Sequence, residues 1–351
     1  MYETISELVS RYTKVTRDPV SGKYFGSCPF CHGRTDTFMA DDRKGIFFCY
    51  ACGASGDKKD FLARLEPNKY AMVTCQKNPV LLQIYEDTAY FYYTELIKAE
   101  HPGRQYLASR GITLDGIREY GLGFAPDGFS VLYSRLKRRY RHGELMASGL
   151  FKLSARGYPY DFFRNRVMFP IMDENGDVIA FGGRVLDDSR PKYLNSPETE
   201  LFSKRRNLYG FPYMGDIRGQ ALILCEGYLD YIALHRAGFR DSAAVLGTAL
   251  TEEHARLIAA RYKEVFLSMD SDEAGIHGAK KSIDLLRKAG LSVKVLDFSP
   301  YKDPDELIRE DPMGMDEFRK RIEQALPAHM FLARHTKDTG ELIDILMQQV
   351  L

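Results

Sequence analysis

The stretch Ala221-Leu222-Ile223-Leu224-Cys225-Glu226-Gly227-Tyr228-Leu229-Asp230 decides the fold. Its five apolar residues are too few for a helix and predict a short buried strand over 221–225. An acid and a glycine then stand at the strand's carboxyl end, before a helical pattern that starts near Leu229. The unit recurs. Val265–Met269 ends at Asp270-Ser271-Asp272 and is followed by Ala274, Gly275 and a helical stretch to Ala289. Val293–Phe298 leads into Tyr301-Lys302-Asp303-Pro304-Asp305-Glu306, where Pro304 keeps the residue before it extended. Strands alternating with helices predict an open parallel sheet, whose sites lie outside the carboxyl ends of the strands. Glu226, Asp230, Asp270, Asp272, Asp303 and Asp305 all fall at that edge. Mg²⁺, or Mn²⁺ in its place, takes a few carboxylates together with water and phosphate oxygens, so the series reads as a metal site for phosphodiester chemistry. Any one acid could equally be a helix N-cap, but three strands ending in acids weaken that explanation. Asp230 lies at i+4 from Glu226, where it could reach a metal through water or pair with a basic residue.

A second constellation is Cys28-Pro29-Phe30-Cys31 with Cys49-Tyr50-Ala51-Cys52, two CxxC knuckles at the spacing of a zinc ribbon. Four thiolates complete a tetrahedron and leave no open position, so one zinc ion in a structural role is expected. Paired disulfides would need an oxidising compartment, and no charged-then-apolar signal segment opens the chain, so the expected location is cytoplasmic. Cys75 and Cys225 read as ordinary buried thiols. Tyr24, Phe25, Phe38, Phe47 and Phe48 either pack this small module or stack on bases, with Lys23, Arg34, Arg43 and Lys44 among them to attract phosphates. Helix signals flank the ribbon at Ile5, Leu8, Val9 and Tyr12 and at Asp57, Phe61, Leu62 and Leu65.

With 351 residues the chain has room for two or three domains, at roughly one to two hundred residues each. Its formal charge of +1, from 49 basic and 48 acidic residues, hides segregation: basic clusters stand at 135–141 and 204–206, away from the acidic edge. The first cluster is either a nucleic-acid face or the solvated side of a helix. No apolar stretch is long enough to span a membrane, so a soluble chain with no membrane partner is expected. The organisation reads as a zinc ribbon over 1–66, a polar linker over 67–80, a basic subdomain over 81–218, the sheet domain over 219–311 and a helical segment over 312–351. Arg166–Ile171 and Val178–Phe181 alternate around Asp173-Glu174-Asn175-Gly176 and predict a hairpin.

The acidic motifs 226–230, 270–275 and 303–305 resemble the metal motifs of the TOPRIM domain, shared by bacterial primases, some topoisomerases and certain nucleases. Ser271 stands where that family often has glycine. Residues 163–171, Ala180-Phe181-Gly182-Gly183-Arg184 and 191–199 closely resemble the RNA polymerase core of DnaG-type bacterial primases, and the motifs follow the family's order from Cys28 to Asp305. The resemblance implies a multidomain α/β protein: a small β zinc ribbon, then a mixed α/β primase core containing a parallel-sheet TOPRIM fold. It implies synthesis of short RNA primers on single-stranded DNA from ribonucleoside triphosphates, by metal-dependent nucleotidyl transfer during DNA replication. By the same resemblance Arg110, Arg184, Lys192 and Lys204 match basic positions that contact nucleotide and template, and Arg34 matches a basic position after the first knuckle. Arg164 and Arg166 join them as cations just upstream of the acids, although each alone could be a surface ion-pair residue. The family usually has histidine at the position of Cys31, which makes His32 an alternative zinc ligand. The expected partners are single-stranded DNA, ribonucleoside triphosphates and, as in the family, a replicative helicase. The helicase-binding domain typical of the family is missing by Leu351, which leaves the mode of recruitment open. Two rivals stand beside this reading. One is a non-catalytic zinc and TOPRIM recombination mediator, whose plan lacks the 164–199 motifs. The other is a TOPRIM nuclease or topoisomerase. A fused helicase is not expected, because no GxxxxGK[ST] loop occurs.

Overall fold

The computed structural model describes residues 4–19, 21–31, 37–52, 54–65, 77–211, 220–247, 249–269 and 273–336. They fall in two compact units, Met1–Lys77 and Asn78–Leu351. In the first unit, helix α1 (Ile5–Val9) starts at a capping box in which Thr4 and Glu7 satisfy each other's backbone N–H groups. Five antiparallel strands follow in chain order, β1 (Val15–Arg17), β2 (Tyr24–Gly26), β3 (Phe38–Asp41), β4 (Ile46–Cys49) and β5 (Ser55–Gly56), and helix α2 (Lys58–Leu65) closes the unit. Phe38 stacks on Phe47 at 5.6 Å, and Phe61 meets Phe47 edge-on at 5.3 Å. Phe38 and Phe47 are therefore core residues with no face left for bases.

The second unit opens with α3 (Pro79–Leu96), whose first N–H groups bond to Asn78. Pro79 and Val80, read from sequence as linker, are helical. Proline suits this position because its missing N–H would have no helical acceptor. Then come α4 (Pro102–Ser109), α5 (Leu114–Glu119), β6 (Gly123–Ala125), α6 (Val131–Leu136), α7 (His142–Ala147), the hairpin β7 (Phe151–Leu153) and β8 (Pro159–Asp161), and β9 (Arg166–Met172), β10 (Val178–Val185) and β11 (Tyr193–Asn195). The order β11-β10-β9-β6 makes an antiparallel sheet, with the expected turn at 173–176 between β9 and β10.

The remaining elements alternate: β12 (Ala221–Cys225), α8 (Tyr228–Arg236), β13 (Ser242–Ala244), α9 (Glu252–Ala259), β14 (Glu264–Ser268), α10 (Glu273–Lys288), β15 (Ser292–Val295), α11 (Pro304–Glu310), α12 (Gly314–Glu323), β16 (Leu326–Pro327) and α13 (Ala328–His335). β13, β12, β14 and β15 are parallel neighbours, and β16 adds an antiparallel edge to β15. The segment beyond 312 thus supplies a strand as well as helices. The parallel strands are apolar on both faces because helices cover both. No helix among the described residues is long and apolar enough to cross a membrane.

The two sheets share a core through α8. The Tyr228 ring stacks on Phe169 at 4.9 Å, and its hydroxyl donates to Asn195 Oδ1 at 2.6 Å. A Cβ on Gly182 would lie 2.3 Å from that hydroxyl, so only glycine lets the ring seat against β10. Elsewhere Asp161, buried on β8, accepts from the backbone N–H groups of Leu132 and Tyr133 at 2.8 and 2.9 Å and so caps α6 from outside the helix. Burial pushes its carboxyl up to about 6 against those two bonds.

Gly182→Ala should destabilise the second unit by about 1–3 kcal/mol through overpacking. Gly143→Ala, on the open face of α7, should not, and thermal unfolding of the two variants separates them. For Asp161 the raised value means that the folded chain keeps a proton the unfolded chain releases. Its contribution is therefore greatest below the ordinary aspartate range and is lost as pH rises to about 6. Asp161→Asn should flatten that fall, measured as the wild-type minus variant difference in denaturant stability at acid and neutral pH.

Candidate metal centre and nucleotide-binding edge

The four cysteines of the knuckles lie at the end of the sheet of the first unit, Cys28 and Cys31 after β2, Cys49 at the end of β4 and Cys52 in the turn that follows. Their sulfur atoms all lie within 4.8 Å of one another. Cys28 to Cys52 and Cys31 to Cys49 are each 3.9 Å apart. A tetrahedron with Zn–S bonds of about 2.3 Å has edges of about 3.8 Å, so the sulfurs stand where a zinc ion needs them. The distances are far beyond an S–S bond of about 2.05 Å, and the thiols are free. Burial pushes the Cys28 thiol up to about 12. Burial also opposes ionisation of Cys49, yet hydrogen bonds from the backbone of Cys52 and Ala51 bring it down to about 7. His32 and Arg34 lie outside the described residues.

At the parallel sheet, Cys225 is paired with Ser268, so the chain leaves β12 and β14 at one level, into Glu226 and Met269. Asp270 and Asp272 come next and lie outside the described residues. Asp230 accepts from the backbone N–H of Gly227 at 3.0 Å and so caps α8 from its first turn, a role additional to the two open from sequence. Asp303 caps α11 by accepting from Glu306 N at 2.8 Å. Asp305 is 5% exposed and takes a hydrogen bond from Arg110 Nη1 at 2.5 Å, with Arg309 Nε 3.8 Å away. Burial raises its carboxyl, and the two guanidinium groups oppose the rise. Among the described residues, the four cysteines are the only group of three or more candidate ligands this close together. The described acids do not by themselves gather into a centre.

The cations divide. Arg184, on β10, is 8% exposed and holds its guanidinium 4.3 Å over the Tyr106 ring and 5.7 Å from that of Tyr193. Its Nε has no hydrogen-bond partner among the described residues. Arg110 also stands over Tyr106, at 5.7 Å. Lys192 is exposed. Partial burial, then Arg184, Lys302 and Arg110, push its ammonium below the ordinary value against the pull of Asp303. Burial holds the Tyr193 hydroxyl up; Arg184 opposes this, and Tyr106 and Asp230 reinforce it. Arg110, Arg184, Lys192 and Lys302 thus share one field with Asp303. Arg166 does other work: its buried Nη1 donates to the carbonyls of Gly183, Pro191 and Lys192 and holds the β10 to β11 connection. Arg164 donates to Asp161 O and lies 5.2 Å over Tyr160 on β8. Lys204 is half-buried, its backbone N–H bonded to Glu198. Sequence reasoning assigned no role to Tyr106, Tyr193 or Lys302. The i,i+4 spacing of Tyr106 and Arg110 was a usable signal for the first, whereas the other two meet their neighbours only through the fold.

Residues 2–82 match the family described as CHC2 zinc finger, 91–214 the DNA primase catalytic core, N-terminal domain, and 223–308 a Toprim-like family. A DNA primase of Clostridium acetobutylicum is 36% identical over 347 residues, covering 92% of this chain and 57% of that protein. The chain thus spans less than two thirds of the length of the curated relatives it matches. Among solved structures, the Aquifex aeolicus primase (zinc-binding and RNA polymerase domains) has a TM-score of 0.67 at 30% identity, over 96% of this chain and 87% of that one. The DnaG primase catalytic domain bound to ssDNA has a TM-score of 0.67 at 34% identity, over 74% and 85%. Three matched families in one order, and relatives aligned along nearly the whole sequence, show that the chain belongs to the DnaG-type DNA primase family.

Proposed function

We propose that the chain copies single-stranded DNA into short RNA primers from ribonucleoside triphosphates. The observation that carries this reading is the buried Arg184 guanidinium, seated over Tyr106 with its Nε lacking a partner among the described residues, in the company of the cations Arg110, Lys192 and Lys302. Cutting a phosphodiester needs the acidic edge alone. Joining nucleotides also needs a place for triphosphate charge.

In this mechanism the 3′-oxygen of the growing strand forms a bond to the α-phosphorus of the incoming nucleotide, in line with the bond to the bridging oxygen that breaks, and pyrophosphate leaves. Glu226, Asp270 and Asp272, assisted by Asp230, Asp303 and Asp305, would hold one or more Mg²⁺ or Mn²⁺ ions. When bound, these neutralise charge developing on the α-phosphate and the leaving group. Arg184 and Lys192 receive the triphosphate oxygens, and Tyr106 fixes the planar guanidinium of Arg184 by stacking beneath it. The ion pair with Asp305 sets the direction of Arg110. Lys204 and Arg164 would meet the template instead, and Arg166 would act by shaping the β10 to β11 connection. In the first unit one structural zinc ion on Cys28, Cys31, Cys49 and Cys52 would hold the ribbon in shape to present Arg34 to single-stranded DNA. The solved relative bound to ssDNA supports that class of template.

The test is primer synthesis on single-stranded templates carrying every start triplet, with and without Mg²⁺. Asp270→Ala or Glu226→Gln should lower synthesis by about a thousandfold while circular dichroism and DNA binding stay unchanged. Full synthesis by Asp270→Ala would overturn the mechanism. A wild-type protein that binds DNA but makes no primer on any template would turn the reading to a recombination mediator, and cleavage without nucleotides would turn it to a nuclease. For the ribbon, Cys28→Ser or zinc chelation should abolish amide protection in β3 and β4 and leave β9 and β10 protected, because so small a core does not fold without its metal. Undiminished protection of β3 and β4 in the chelated protein would contradict this role for zinc.

A further inference from the structure

A cavity of about 320 Å³ lies between the turn at Arg110-Gly111, the end of α8 and the outer face of α11. Among the described residues, neither Arg184 nor Lys192 lines it, and Asp305 is its only carboxylate. Three arginines from three elements converge there: Arg110 after α4, Arg236 at the last position of α8 and Arg309 on α11. Arg110 is engaged by Asp305, and Arg309 is shared between Asp305 and the half-exposed Glu310, to which it donates at 2.9 Å. Arg236 is exposed and has no ion-pair partner among the described residues. Its Nη1 lies 3.4 Å from the place a Cβ on Gly111 would take, so its guanidinium reaches across to the Arg110 turn, where glycine at φ +72 leaves it room. A cation at the end of α8 complements the helix dipole. That accounts for Arg236, and Asp305 draws in Arg110 and Arg309, which leaves three guanidinium groups against a single carboxylate among the described lining residues.

An open cavity with three guanidinium forks and one lining carboxylate has the chemistry of a phosphate site, because the planar fork donates two parallel hydrogen bonds to phosphate oxygens. We propose that this cavity binds a phosphate-bearing anion of pyrophosphate size, a second anion site that borders the triphosphate position at Arg184 and Lys192 and shares Arg110 with it. The source is either free pyrophosphate or the tail of a nucleoside triphosphate. Naming pyrophosphate as a natural occupant rests on the proposed reaction, which releases it. The site is tied to that reaction through one atom: Arg110 Nη1 serves Asp305, and an anion in the cavity competes with Asp305 for it.

Titration calorimetry on the zinc-loaded full chain, in buffer without added Mg²⁺, tests the proposal with pyrophosphate in one arm and ATP in the other. Arg236→Glu should weaken binding by about tenfold or more, and Lys192→Glu should leave that component in place. Loss confined to the pyrophosphate arm identifies the free anion as the ligand, and loss confined to the ATP arm identifies the nucleotide tail. Arg236→Glu should still make primers at the wild-type level when pyrophosphate is kept low. Equal affinities of wild type and Arg236→Glu in both arms would overturn the site. Binding that depends on Arg236 in a protein that makes no primers would keep the site and remove only the reading of its natural source.

Discussion

The seating of Tyr228 against Gly182 is the contact on which the second unit depends. It brings the first residue of α8 onto β10, and α8 is the helix that follows Glu226. The antiparallel sheet, which carries Arg184 and leads to Lys192, is thereby fixed against the parallel sheet, which carries the acids. Phe169 backs the ring and Asn195 holds its hydroxyl, while the Asn195 amide donates onward to Leu246 O at 2.6 Å. Shape, stacking and two polar bonds thus fix one relation between cation and acid. A loose joint there would leave both charge sets intact but unregistered, and electrostatic help depends on groups already in place.

Much of this was legible because it is local. A five-residue apolar run ending in an acid and a glycine can scarcely be anything but a buried strand, and β12 has the bounds read for it. Register follows from the parallel pattern, so Glu226 and Met269 leave the sheet at one level. The CxxC knuckles are equally local, and their sulfurs stand at tetrahedral spacing.

What could not be read depends on partners distant in sequence. Arg166 looks like its neighbours in the chain, yet the carbonyls of three residues on another segment claim it. Asp305 reads as one more acid of a metal motif, but helix α11 turns it towards Arg110, 195 positions away. β16 has two residues and ends in a proline, which carries no period and reads as a breaker. Asp230 satisfies two patterns at once, a metal motif and a cap on the Gly227 N–H, and spacing cannot divide them.

The short β16 bears on how the edges of the parallel sheet are closed. A parallel sheet has two lateral borders, and an unpaired border invites a strand from another molecule. Here one border is taken by Tyr209, which exchanges both backbone bonds with Ala244 at 2.9 Å. The other is taken by β16, where Pro327 has no N–H to offer. Among the described residues, each border of the parallel sheet is thus taken by a short segment, which leaves little ladder for a strand from another molecule to extend.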